Sequence, residues 1–85
     1  MDIYFTKRLK ELRNKNAISQ VALAKEIGIS RQTIARCENG SSEPNIQMIY
    51  NLCIYFDVTA DYLLGLVDDM KAFRYPAFSK NHSKN

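Results

Sequence analysis

Residues 19–40, SQVALAKEIGISRQTIARCENG, are the stretch whose reading settles the fold. They read as two short helices joined by a tight turn. Ser19 offers a hydroxyl that can accept a hydrogen bond from an unpaired N–H of the first helical turn, the role of an N-cap. Leu23, Ala24 and Ile27 follow on one face at helical spacing. Gly28 stops that helix, because the left-handed conformation past a helix end is cheap only without a Cβ. Ser30 caps a second helix that runs to Asn39 and ends at Gly40. A helix, a short turn containing glycine and a second capped helix make a helix-turn-helix.

The second helix has two unlike faces. At 100° per residue, Ile34, Cys37 and Glu38 group on one side, and Arg31, Gln32, Ala35, Arg36 and Asn39 form an arc on the other. The arc is rich in long donors, carries no acid, and has a small residue near its middle. An isolated basic helix of this kind reads as solvated surface. Paired with a preceding helix it reads as a base-reading surface, since Arg can donate twice to guanine O6 and N7 and Gln can pair with adenine N6 and N7. Ala35 lets such a helix sit deep in a groove.

Working outward, a first helix spans Ile3 to Lys15, with Phe5, Leu9 and Leu12 as its core stripe. Lys7, Arg8, Lys10, Arg13 and Lys15 surround that stripe and read as solvated charges. Asn14 to Ile18 is a turn, and Ile18 can staple onto the next helix. Ser41 to Pro44 is a short polar loop. Asn45 caps a fourth helix to Phe56, with Ile46, Ile49, Tyr50, Cys53 and Phe56 predicted along its inward face and Leu52 beside them. Thr59 caps a short fifth helix that ends at Gly65, with Asp61 placed favourably in its first turn. The expected fold is all-α: a compact five-helix domain over residues 1–65 with a C-terminal extension. In residues 66–78, LVDDMKAF continues the helical pattern through Leu66, Met70 and Phe73, and Tyr75, Pro76 and Phe78 add apolar area. Two readings of this extension stand, packing on its own domain or a dimer contact made together with helix five. Residues 79–85 are polar and read as a disordered tail.

Composition sets bounds. The chain has 85 residues, a formal charge of +3 and a pI near 9.0, which suits one small domain and a polyanionic partner. Between Glu43 and Asp69 every charged residue is an acid, so the basic groups are gathered elsewhere. Cys37 and Cys53 lie in apolar helical patterns with no CxxC, and the single histidine, His82, sits in the polar tail. No metal site is expected, and both thiols read as core packing in a reducing compartment. No run is long and apolar enough for a membrane span. There is no paired-carboxylate cleft, nucleophile elbow or glycine-rich phosphate loop, so the reading is not an enzyme and needs no cofactor.

Residues 8–65 resemble the DNA-binding domain of the Xre family, which includes the phage Cro proteins and phage repressors. The resemblance rests on RLKELR at 8–13, SQVALAKEIGIS at 19–30, RQTIARCENG at 31–40, EPNI at 43–46 and FDVTADYLLG at 56–65. It implies a repressor-like fold and a sequence-specific transcriptional regulator, a repressor that binds a pseudo-palindromic operator in double-stranded DNA as a homodimer, with helix 31–39 in the major groove. It implies that Arg31, Gln32 and Arg36 contact base edges. Gln20 and Asn39 match backbone-contacting positions, and Ser30 and Thr33 are further phosphate candidates. It also implies a structural ion pair between Arg13 and Glu38. The implied location is the cytoplasm, in a bacterium or as a phage product. The alternative is an antitoxin or protein-interaction module that keeps the scaffold for a toxin or antirepressor partner.

Overall fold

The computed structural model describes residues 3–68 and residue 70. Among them are five helices and no strand: α1 (Ile3–Lys15), α2 (Gln20–Ile27), α3 (Arg31–Asn39), α4 (Ile46–Phe56) and α5 (Ala60–Leu64). Four of the helix starts are set by local chemistry. The side chains of Ser19, Ser30, Asn45 and Thr59 each accept from the backbone N–H three residues on, at Ala22, Thr33, Met48 and Tyr62. Each satisfies a donor that the helix cannot, an effect worth about 1 kcal/mol per cap.

Phe5, Leu9 and Leu12 run down the buried face of α1 and meet Leu23, Ile34, Leu52 and Leu63 from the other four helices. Helix α1 packs on α3 and α5, while α2 packs on α3 and α4. The α2–α3 pair is therefore mounted on α1 and α4, with its second helix at the surface. Gly28 lies between the pair at φ +72°, and its N–H closes on the carbonyl of Ala24.

Helix α4 is turned differently from the prediction. Met48 and Leu52 are its buried residues; Ile49, Cys53 and Phe56 are half-buried. Ile46 and Tyr50, expected inside, are 85% and 62% exposed. The sequence IQMIYNLCIYF is apolar nearly all round. Periodicity cannot choose the inward face of such a helix, and contacts with the other helices do so instead.

The chain beyond α5 does not continue as a helix through the described residues. Gly65 takes φ +89°, its N–H bonds the carbonyl of Tyr62, and the Leu66 N–H reaches back to Asp61. This double closure is a Schellman-type stop. A Cβ at Gly65 would collide with the Tyr4 side chain, so the stop is also fixed by close packing. Arg8 reinforces it. Its Nη1 donates to the carbonyls of Tyr62 (2.6 Å) and Val67 (2.5 Å), its Nη2 donates to Asp68 (2.9 Å), and its guanidinium lies 4.2 Å from the centroid of the Tyr62 ring. Arg8 was expected in solvent and is instead buried. Leu66 is exposed, whereas Val67 and Met70 pack against the core. Phe73, Tyr75, Pro76, Phe78, the predicted 79–85 tail and His82 lie outside the described residues.

Candidate nucleic-acid interface

The outer arc of α3 forms as its pattern requires. Ile34, Cys37 and Glu38 are buried, and Arg31, Gln32, Arg36 and Asn39 are exposed. Ala35 is half-buried within the arc. The one acid of the helix is turned inward, so its exposed side chains carry only positive charge and amides.

Glu38 meets Arg13 from α1 in a side-on pair. Arg13 Nε donates to Glu38 Oε2 at 2.6 Å and Nη2 donates to Oε1 at 3.0 Å. The remaining Nη1 donates to the carbonyl of Ile18 at 3.1 Å, tying the turn before α2 to the same guanidinium. The side chains are 14% and 4% exposed. The hydrogen bonds that Arg13 donates to Glu38 raise the Arg13 pKa above its ordinary value against the opposing effect of burial. The paired geometry satisfies both charges and locks α3 to α1.

A second connection runs from Glu38 to the surface. Gln20 Nε2 donates to Glu38 Oε1 at 3.1 Å, and Gln20 Oε1 accepts from Arg31 Nη1 at 3.1 Å. A carboxylate can only accept, so the Gln20 amide must turn its nitrogen to Glu38 and its oxygen to Arg31. The first residues of α2 and α3 thus touch, and the buried acid orients an exposed arginine through one side chain. Sequence reasoning assigned Gln20 to DNA backbone alone and missed this link. The signal for it was present in Ser19-Gln20 and Ser30-Arg31, two cap-plus-first-residue pairs that open the paired helices.

The remaining candidates cluster at the two ends of α3. The Ser30 hydroxyl caps the helix and lies 2.8 Å from Thr33 Oγ1. At the other end, Asn39 Oδ1 accepts from the Ser41 backbone N–H at 2.8 Å and from the Ser41 hydroxyl. That holds the loop after α3 against the helix. Cys37, beneath the arc, lies 3.9 Å from the Met48 sulfur, and burial with the nearby Glu38 charge raises its thiol pKa. Among the described residues no group of three His, Cys, Asp or Glu side chains is placed to hold a metal ion, and no helix is long and apolar enough to cross a membrane.

Residues 9–63 match the Helix-turn-helix family HTH_3. The uncharacterized HTH-type transcriptional regulator YobD of Bacillus subtilis (strain 168) is 34% identical over 65 residues, which cover 76% of this chain and 58% of YobD. The chain therefore spans less than two thirds of that relative. Antitoxin PezA of Streptococcus pneumoniae serotype 4 is 34% identical over 59 residues, 69% of this chain and 37% of PezA. Among solved structures, the P22 c2 repressor protein in complex with a synthetic operator superposes with a TM-score of 0.68 at 33% identity, covering 71% of this chain and 91% of that one.

Proposed function

The chain belongs to the helix-turn-helix family, and on that premise we propose that it is a sequence-specific DNA-binding transcriptional regulator, a repressor that binds a pseudo-palindromic operator as a dimer. The observation that carries this reading is the exposed, acid-free arc of α3, braced from behind by the Arg13–Glu38 pair. Helix α3 enters the major groove. Arg31, Gln32 and Arg36 meet base edges, and Arg36 favours guanine. Gln20, Ser30, Thr33 and Asn39 take phosphates and set the register. Gln20 can do so while it holds Arg31, because its amide nitrogen carries a second hydrogen. One such domain makes too few contacts to select a site in a genome, so two copies read half-sites about one helical turn, roughly 34 Å, apart. The regulator works in the cytoplasm, where its DNA is.

The test is titration of Arg36→Ala against the selected site and against single-base variants of it. The expected loss is about 1–3 kcal/mol, with preference relaxed at one base pair. Unchanged affinity and preference would overturn the assignment of Arg36. The similarity to antitoxin PezA favours a second reading, in which the same scaffold also holds a toxin or antirepressor. A stoichiometric protein partner that competes with DNA would support it.

A further inference from the structure

The least accounted-for surface lies on α4, away from the arc of α3. Ile46, Tyr50 and Ile54 recur at i, i+4 and i+8, are 85%, 62% and 67% exposed, and form one apolar stripe on a helix without a single charged residue. Alongside it, Tyr50, Ile54 and Tyr55 with Glu26, Ile27 and Asn51 line a groove of about 350 Å³ between α4 and the end of α2. A contiguous apolar surface of this kind on a small domain marks a place where something docks.

The acids around this surface narrow the choice of occupant. Glu26 stands in the groove, Glu43 precedes α4, Asp57 follows it, and no Lys or Arg occurs from Cys37 to Asp69. Two copies of the face brought together would bring these acids together as well, which disfavours a symmetric face-to-face contact. The complementary sequence is in the chain itself. Residues 71–85 carry Lys71, Arg74, Lys80 and Lys84 with no acid, and set Phe73, Tyr75 and Phe78 among them. The chain also passes close to the C-terminal end of α4. Met70 packs against the core, and its carbonyl accepts from the N–H of Thr59, three residues past the last residue of α4. From there an extended chain covers about 3.3–3.6 Å per residue, so about three residues can span roughly 10 Å and about eight residues roughly 28 Å. The stripe from Ile46 to Ile54 is only about 12 Å long at 1.5 Å per helical residue.

We propose that the apolar stripe and groove of α4 form the docking site for residues 71–78 of the same chain. Phe73, Tyr75 and Phe78 supply the apolar anchors, and Lys71 and Arg74 face the acidic rim. The site lies off the proposed reading helix, so it can be tested without DNA and independently of the DNA-binding reading.

The experiment uses the full chain with Phe73 replaced by the photocrosslinking residue p-benzoylphenylalanine, irradiated at low micromolar concentration without DNA. The expected product has monomer mass, with the crosslink mapped by mass spectrometry to residues 46–55. Ile54→Lys in the same chain lowers its yield at least fivefold; Ile54 is exposed, so the fold tolerates the change. A crosslink at dimer mass would make a second copy the occupant and overturn the proposal. Monomer-mass crosslinks mapping away from α4, or a yield indifferent to Ile54→Lys, would overturn it as well.

Discussion

Arg13 and Arg8 leave the same helix five residues apart, and each pins a different region of the domain by different means. Arg13 holds α3 through a carboxylate that is itself buried: the Glu38 side chain is 4% exposed. Arg8 holds the segment after α5 mainly through backbone carbonyls and the Tyr62 ring, while its acidic partner Asp68 is 100% exposed. The geometric label of salt bridge applies to both, but only the first depends on its acid. A buried carboxylate and cation need each other, because either alone would be an uncompensated charge. A cation satisfied by carbonyls keeps most of its partners when an exposed acid is removed.

Glu38→Ala tests this contrast hardest. It strands Arg13, releases Gln20, and is expected to lower unfolding free energy by about 3–5 kcal/mol, measured by urea denaturation without DNA. Next comes Arg8→Met, which keeps the stem but removes the charged donors from the carbonyls of Tyr62 and Val67. A loss of about 2–3 kcal/mol is expected, with faster hydrogen exchange at Gly65 and Leu66. Gln20→Ala is smaller in stability, about 1 kcal/mol. It sharpens the contrast at the exposed end of α3, because weaker DNA affinity together with altered preference at one base pair separates a role in orienting Arg31 from a purely phosphate-contacting one. Asp68→Asn is the smallest change: no measurable shift in Tm. A large destabilisation there would dissolve the distinction between the two arginines.

The sequence was most legible where structure is fixed by neighbours in the chain. Ser19, Ser30, Asn45 and Thr59 cap helices by accepting from the N–H three residues ahead, and Gly28, Gly40 and Gly65 take the positive φ angles that end α2, α3 and α5. The arc of Arg31, Gln32 and Arg36 follows from helical geometry alone. Legibility failed where a choice is made by distant groups. Arg8 bonds carbonyls 54 and 59 residues away, and a carbonyl has no residue signature. The inward face of α4 is not legible because IQMIYNLCIYF presents large apolar or aromatic side chains on nearly every side. The helical pattern after Leu64 was real in composition, but Gly65 and Arg8 together end the helix there.

The proposed function requires the braced arc of α3 to read a two-fold DNA site. Its most direct test is selection of bound sequences from a pool of random duplexes, followed by affinity measurement of the winner across salt concentration. The expected result is an enriched palindrome with half-sites about one helical turn apart, and affinity that falls steeply as salt rises. Weak binding with no enriched sequence would contradict it, leaving the helix pair as a scaffold for a protein partner.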